Sequence, residues 1–445
     1  MVIAMIKLIA IWAGKLLSVL GRLTGRKSSA SPGAFALKIC PSLVDDLNKH
    51  VRKKIIVTCG TNGKTTTNNL LCSALESKGY TVLCNRLGAN MLSGIATTYI
   101  QASDMWGGLS VDFACLEIDE AYTPLVFEKI KPDIMVITNL FRDQLDRYGE
   151  IDITVDIIKR ALSGADGIRL VLNADDPMCV QFGIGRNAVY YGISDCVLPQ
   201  VDDTKEGRFC PICGNELSFD FYHYSQLGIF SCSECGYKRP DPDFEVTKIN
   251  LGPPMRFDIN GKSMEINYKG FYNIYNLAAV YAALSVAGEN VADFARLLEN
   301  YTPQIGRMQE FKFNKPVVLS LSKNPAGFNQ SIATVNTDKR KKDVIVAIND
   351  LANDGRDVSW LWDVDFHKIK NDDLNMLITT GIRVYDISLR FKYADIDVDM
   401  LTDSMKRAVT AALKSDSEVV YVLVNYTALY STESVLKELM KEGVA

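Results

Sequence analysis

The sequence lacks a strong charge of either sign. Its 49 lysines and arginines against 53 aspartates and glutamates leave a net charge of −4. A nucleic-acid partner therefore has no global electrostatic support. Internal repeats and long low-complexity stretches are missing. No uncharged apolar run reaches the about 18 residues that a membrane span requires, and no small-residue cleavage site stands out near the start. An even cysteine count is missing too, since there are eleven. An odd number, with four of them in two CxxC pairs, argues against a disulfide framework and for reduced thiols plus a metal site.

What is present suits a soluble enzyme with large cores: 47% hydrophobic and 23% charged residues over a length of 445, enough for two or three domains. At the start, Lys7, Lys15, Arg22 and Arg26 recur at helical spacing, with isoleucine, leucine, methionine and Trp12 between them. This predicts a basic amphipathic helix over residues 1–26, either lying on a membrane surface or docked onto the protein itself. "SSASPG" (28–33) reads as a linker, which sets residues 1–50 apart as helix and linker.

From residue 51 onward, short apolar strands alternate with helical stretches. Strands are expected at Lys54–Cys59, Tyr80–Cys84, Phe113–Ile118, Asp133–Thr138 and Ile168–Asn173. This rhythm predicts an α/β domain with a parallel sheet over residues 51–310, interrupted by a cysteine-bearing insertion at 205–240. Strands at Val317–Ser320, Asp343–Ile348, Met376–Thr379 and Glu418–Val424 predict a smaller, Rossmann-like α/β domain over 311–445.

"IIVTCGTNGKTTTNNLL" (55–71) is strand, glycine turn and helix start in order. A turn that cradles phosphate needs inward backbone N–H groups, a helix N-terminus behind it, a lysine and a hydroxyl. Gly60, Thr61, Asn62, Gly63, Lys64, Thr65 and Thr66 supply them, with Lys64 for the β/γ oxygens and Thr65 for Mg²⁺. The strict motif asks for a glycine where Thr58 stands.

"GTNGKTTT" resembles the phosphate loop of the Mur ligase family, which includes folylpolyglutamate synthetase. Five further blocks come in the family's order: "LEIDEA" (116–121), "ITNLFRDQLDRYG" (137–149), "LNADDP" (172–177), "GFYNIYNLAAV" (270–280) and "GRMQ" (306–309). The resemblance implies a P-loop ATPase core that uses ATP and Mg²⁺ to phosphorylate a carboxylate, which an amine then attacks. It implies Glu117 as a Mg²⁺ ligand, Asn276 near the adenine, and Arg307 near the phosphates. Gln144 stands where the family has a histidine that helps ligate a second metal, which puts that metal in doubt, and Lys323 in "SKNPAG" (322–327) replaces another family histidine.

"CPIC" and "CSEC" place Cys210, Cys213, Cys232 and Cys235 in a CxxC-x18-CxxC pattern. That spacing is a Cys₄ zinc signature, and the closed ligand set implies a structural ion, with iron as the alternative. His223, between the pairs, is a weaker candidate for a Cys₃His set. A Mur ligase core with such a ribbon resembles the branch of the family that works as the synthetase subunit of a lipid II isoglutaminyl synthase. This closer resemblance implies a glutamine amidotransferase subunit that forms the heterodimer and supplies ammonia. It implies that the α-carboxyl of D-glutamate in the lipid II stem peptide becomes an amide. It also implies a cytoplasmic enzyme working at the inner membrane face. By the same resemblance, an aspartate in the loop "NDLANDGRD" (349–357) completes the partner's Cys–His pair, and by motif position it is Asp357, with Asp350 and Asp354 as fallbacks. Trp360 and Trp362 are candidate anchors of that contact. The alternatives are an amino-acid-adding ligase without a partner and a ribbon scaffold with a vestigial ATP site.

Overall fold

The computed structural model describes residues 2–23, 29–86, 89–142, 151–165, 167–198, 207–252, 254–267, 269–298, 305–351 and 354–443. Gln144 lies outside them. The chain divides into two compact units, residues 1–140, 152–268 and 272–301 on one side and 141–151, 269–271 and 302–445 on the other.

The first unit is built on a nine-stranded sheet. Its strands are β1 (Val51–Cys59), β2 (Val82–Cys84), β3 (Val111–Glu117), β4 (Ile134–Ile137), β5 (Arg169–Asn173), β6 (Ala188–Ile193), then β9 (Phe244–Asn250), β10 (Met255–Ile259) and β11 (Lys262–Ile266), with a separate hairpin of β7 (Ser218–Tyr224) and β8 (Leu227–Ser231). The order is β11-β10-β9-β6-β5-β4-β1-β3-β2. From β2 through β6 to β9 every pairing is parallel, and β10 and β11 close the edge antiparallel. Helices on both faces explain why β1 ends in five buried residues and β4 is buried throughout. The expected strands all form within three residues of their predicted ends, with β1 starting three residues early, at Val51. The antiparallel edge carried no clear sequence signal, because its strands are half polar.

Helix α1 (Val2–Leu23) docks on the first unit, together with α2 (Ser31–Ile39) and α3 (Leu43–Asn48). The "linker" is therefore a correction: Ser31, Pro32 and Gly33 open α2, with the proline in the first turn, where its missing N–H costs nothing. The helix on the other side of α2 is α5 (Leu92–Ala102), which comes after α4 (Lys64–Ser77). A Cβ on Gly33 would lie 2.0 Å from the Ser93 carbonyl oxygen, and the Gly33 N–H donates to Thr97 Oγ1 at 2.9 Å. α1 turns small residues inward. Ala10, Gly14, Ser18 and Gly21 are buried, and a Cβ on Gly14 would meet Ile100 at 2.9 Å. Lys15 Nζ donates to the Ser103 carbonyl at 2.6 Å, so this cation faces the protein and not solvent. The outward face carries Met5, Ile9, Trp12, Leu16, Val19 and Leu23, all exposed. By length and composition, Ala4–Leu23 is also apolar enough to cross a membrane.

The second unit holds a six-stranded sheet of order β12-β13-β17-β14-β15-β16, parallel except for β12. Its strands are β12 (Gln309–Lys312), β13 (Pro316–Leu321), β14 (Lys342–Ala347), β15 (Leu374–Thr380), β16 (Met400–Leu401) and β17 (Val419–Val424). One of its two core layers gathers Phe328, Trp360, Phe366 and Phe391.

Gly33→Ala should force α2 off α5, costing about 2 kcal/mol, as overpacking typically does. Thermal unfolding should show it as a loss of roughly 5 °C in the first unit's transition.

Candidate nucleotide site and metal ribbon

The phosphate loop leaves β1 at Cys59 and enters α4 at Lys64. Two glycines make that turn possible. Gly60 has φ 121°, and a Cβ there would lie 2.3 Å from Thr138 Oγ1 and 2.8 Å from the Asn139 carbonyl oxygen. Gly63 has φ 86° and caps α4; a Cβ there would lie 2.3 Å from Asn276 Oδ1. Both positions combine left-handed backbone with a close neighbour, so side chains are excluded twice over. The loop is held from the neighbouring strand β4. Thr61 N–H donates to the Asn139 carbonyl at 2.8 Å and Asn62 N–H to Asn139 Oδ1 at 2.9 Å. Thr138 Oγ1 and Asn139 Nδ2 both donate to the Asn62 carbonyl, at 2.7 and 3.0 Å. The "TN" of the third sequence block is thus the brace of the loop. Thr58 lies buried inside β1, with its Oγ1 unpartnered.

Lys64 is buried and its Nζ lies 2.7 Å from Glu120 Oε1. Burial pulls the ammonium down, but Glu120, then Glu117 and Asp119, overcome it and hold its pKa above the ordinary lysine value. Glu117 ends β3, buried, and accepts from Asn90 Nδ2 at 3.2 Å. Asn85 clamps its backbone, accepting from the Glu117 N–H at 2.8 Å and donating to its carbonyl at 2.8 Å. Three buried carboxylates stand against one buried ammonium here. That excess of negative charge fits a divalent cation, with Glu117 and the half-buried Thr65 as the hydroxyl–carboxylate pair that would hold Mg²⁺. Glu120 was not singled out in the sequence, although its place in "LEIDEA" offered the signal.

Asn276 stands on α8 (Tyr272–Val286; α6 is Thr123–Phe127 and α7 Ile151–Ser163). Its Oδ1 accepts from Thr67 Oγ1 at 3.3 Å. So Asn276 braces Gly63 and the first turn of α4. Arg307 belongs to the second unit, in the turn before β12. "LNADDP" works as a set of posts. Asp175, fully buried, accepts from Arg239 Nε at 2.6 Å, Tyr275 Oη at 2.7 Å and the Ile193 N–H at 2.8 Å. Asp176 accepts from the Leu140 N–H at 2.7 Å and Gln226 Nε2 at 2.8 Å, and burial pushes its pKa up.

Those posts carry the ribbon. The sulfurs of Cys210, Cys213, Cys232 and Cys235 all lie within 4.8 Å of one another. Cys210–Cys235 are 3.6 Å apart and Cys213–Cys232 3.5 Å. A tetrahedral Zn–S bond of about 2.3 Å requires sulfurs about 3.8 Å apart, so the set fits a Cys₄ metal. Each knuckle folds back alike: Gly214 N–H donates to the Cys210 carbonyl and Gly236 N–H to that of Cys232, at 2.9 and 3.1 Å. The Asn215 N–H draws the Cys213 thiol down to about 6, toward the thiolate a metal needs. His223 is buried against the Ile193 carbonyl at 3.0 Å and is not part of the cluster. Tyr237 Oη donates to the Pro177 carbonyl at 2.5 Å, seating the ribbon on the sheet.

In the second unit, the three aspartates of the acidic loop separate cleanly. Asp354 is buried, accepts from Thr427 N–H at 2.8 Å and from the Thr427 hydroxyl, and burial raises its pKa. Asp350 pairs with Arg383 Nε at 3.0 Å. Asp357 lies at the surface, and the Ser359 N–H and hydroxyl hold its carboxyl below the usual range. The tryptophans also separate. Trp360 is a correction to the sequence expectation: it is a core residue whose ring, tilted by 39°, lies 5.5 Å from that of Phe328. Trp362 is half exposed beside Tyr393 and Arg390.

Cys232→Ser should lose one equivalent of metal, measured by elemental analysis of the purified chain, and lower the melting temperature of the first unit. Retention of a full equivalent would show that the four sulfurs do not act as one site.

The Mur ligase middle domain matches residues 57–208 and the MurT ligase C-terminal domain residues 321–429. The chain is 36% identical to the lipid II isoglutaminyl synthase (glutamine-hydrolyzing) subunit MurT of Staphylococcus aureus, over 94% of this chain and 95% of that one. It is 32% identical to the corresponding subunit of Streptococcus pneumoniae, over 94% and 97%. Among solved structures it is similar to a pseudomurein peptide ligase type C from Methanothermus fervidus, at TM-score 0.70 and 21% identity over 93% of this chain and 86% of that one. It is also similar to MurF ligase from Thermotoga maritima in complex with ADP, at TM-score 0.64 and 14% identity over 92% and 85%. With a braced phosphate loop, a Cys₄ ribbon and both domain matches on one chain, this protein belongs to the MurT family of Mur ligases.

Proposed function

We propose that this chain is the ATP-dependent synthetase subunit of a lipid II isoglutaminyl synthase. In this reading it converts the α-carboxyl of D-glutamate in the stem peptide to an amide. A carboxylate is a poor electrophile at neutral pH. Its oxygen attacks the γ-phosphorus of ATP, forming an acyl phosphate and releasing ADP. Ammonia then attacks the carbonyl carbon, phosphate leaves, and a proton is lost from nitrogen. Lys64 and the N–H groups of the loop hold the phosphates and offset the charge that develops. Bound Mg²⁺, held by Thr65 and Glu117, would neutralise the phosphate oxygens. No residue needs to act as a covalent nucleophile.

Ammonia comes from glutamine, hydrolysed on a separate amidotransferase subunit. The observation that carries this part is Asp357. Of the three loop aspartates it alone holds its carboxylate near the surface on the local Ser359 turn, with the charge of Arg142 acting on it from a distance, whereas Asp350 pairs with Arg383 and Asp354 is buried. Its role is to orient and stabilise the partner's histidine. Because its pKa is lowered, Asp357 stays ionised through the range where a histidine titrates, so it sets no acid limb near neutrality. Trp362, half exposed five residues further on, suits an interface anchor.

The outward stripe of α1, spaced four, three, four, three and four from Met5 to Leu23, is the surface assigned to a bilayer. Met105 and Trp106, exposed next to Trp12, extend it, and Trp12 Nε1 donates to the Met105 carbonyl at 2.8 Å. A lipid-linked substrate gives such a contact its purpose.

Amidation of lipid II by the purified chain with ATP and Mg²⁺ tests the whole reading. Free ammonia should support the reaction alone, and glutamine only with the amidotransferase subunit. Asp357→Asn should abolish the glutamine route by at least about 100-fold, by analogy with triad orienters, and leave the ammonia route intact. Lys64→Ala should remove both. Incorporation of an amino acid in place of ammonia would replace this reading with that of an adding ligase. Leu16→Glu should release the chain from anionic vesicles in a sedimentation assay; unchanged binding would sink the membrane role of α1.

A further inference from the structure

Where β3 leaves the sheet, three carboxylates come within four residues: Glu117, Asp119 and Glu120, all buried. They are used differently. Asp119 accepts from the Ala121 N–H at 3.2 Å and starts the turn at Glu120–Tyr122. Glu117 accepts from Asn90. Glu120 meets Lys64, the one cation the phosphate loop supplies, at 2.7 Å, with both side chains less than a tenth exposed. Acyl-phosphate chemistry gives Glu120 nothing to do, yet it holds the group on which nucleotide binding depends.

We propose that Glu120 is a placeholder for the nucleotide phosphate and thereby makes the site select the metal-bound nucleotide over the free one. The inference rests on the nucleotide reading of the phosphate loop. A buried ammonium without a counter-ion is strongly unfavourable, so the empty site needs one. Glu120 supplies it. An arriving phosphate oxygen competes for the same Nζ. Once it wins, the Glu120 carboxylate is left beside an anion in a region already rich in carboxylates. Like charges a few ångströms apart in a partly desolvated site oppose each other by an amount that decides binding. A nucleotide that brings its own divalent cation relieves this repulsion; a bare one does not. Glu120 is thus a positioning residue that acts through Lys64, and its consequence is selectivity.

The test is equilibrium binding of ADP to the full chain, by calorimetry, with Mg²⁺ and with EDTA. In the wild type, ADP should bind much more tightly with Mg²⁺. Glu120→Gln keeps an acceptor for Lys64 and removes the charge. It should tighten Mg²⁺-free ADP binding by about tenfold, the order expected from deleting one adjacent like charge. Binding with Mg²⁺ should change by less than about threefold, so the selectivity ratio falls. Glu120→Asp, whose carboxylate is one methylene shorter, should move in the same direction and serves if the glutamine variant does not fold. Unchanged or weaker Mg²⁺-free binding in a variant that melts normally overturns the proposal. So does a loss confined to the Mg²⁺ condition, which would make Glu120 a metal ligand. Failure of the wild type to bind ADP at all, with Lys64→Ala no different, would overturn the nucleotide reading itself, which is a distinguishable result.

Discussion

The register of four parallel strands is the constraint on which the first unit depends. Thr58 of β1 lies opposite Glu117 of β3, Cys59 opposite Ile137 of β4, and Ile137 opposite Leu172 of β5. Each strand therefore releases its chain at the same edge of the sheet: the phosphate loop from β1, the carboxylates from β3, the Thr138–Asn139 brace from β4, the Asp175–Asp176 posts from β5. A slip of one residue would turn every one of these side chains to the opposite face. The carboxyl edge of a parallel sheet is where α/β folds gather their ligands, and here the reason is visible in individual hydrogen bonds.

The site works by borrowing rigidity. Lys64 and the loop N–H groups belong to a segment with little side-chain mass of its own. Asn139 from one side and Asn276 from the other fix its path, and neither could do so if Gly60 or Gly63 carried a Cβ. The cysteine ribbon is tied into the same framework through Arg239 and Gln226. Tyr275 and Asn276, adjacent on α8, show how short the span is between the structural post and the phosphate loop.

Much of this was legible in the sequence, and the reasons are physical. Parallel strands covered on both faces write themselves as apolar runs, so β4, β14 and β17 were found to within a residue, and β1 and β3 to within three. CxxC pairs and a glycine turn are chemical constraints that few other sequences satisfy. Strands β9 to β11 were not legible, because polar residues interrupt them and the pattern is diluted. The roles inside the acidic segments were hidden as well. Nothing in the order Glu117-Ile118-Asp119-Glu120 says which carboxylate meets Lys64, since that depends on where the turn after β3 points. Likewise Trp360 and Trp362 look equivalent in the chain, yet the 3₁₀ turn at Ser359–Asp363 sends one to the core and the other outward. Lys15 of α1 faces inward for a reason of the same kind: the small residues around it let the helix approach α2 and α5 closely.

The ribbon's position in the sheet has a consequence for the order in which the chain can assemble. β6 and β9 are parallel neighbours, and parallel neighbours need a crossover, which elsewhere in this sheet contains a helix. Among the described residues between them, this one holds a hairpin and two cysteine knuckles and no helix. A helix forms locally and shortens its own crossover within microseconds. The ribbon instead gathers residues as far apart in the chain as Cys210 and Cys235, a less local closure than one helix. Strands β9, β10 and β11 come after it in the chain, so the far edge of the sheet is synthesised before it can be registered. Closing that edge depends on contacts distant in the chain, which form more slowly than a helix and leave it open to mispairing for longer.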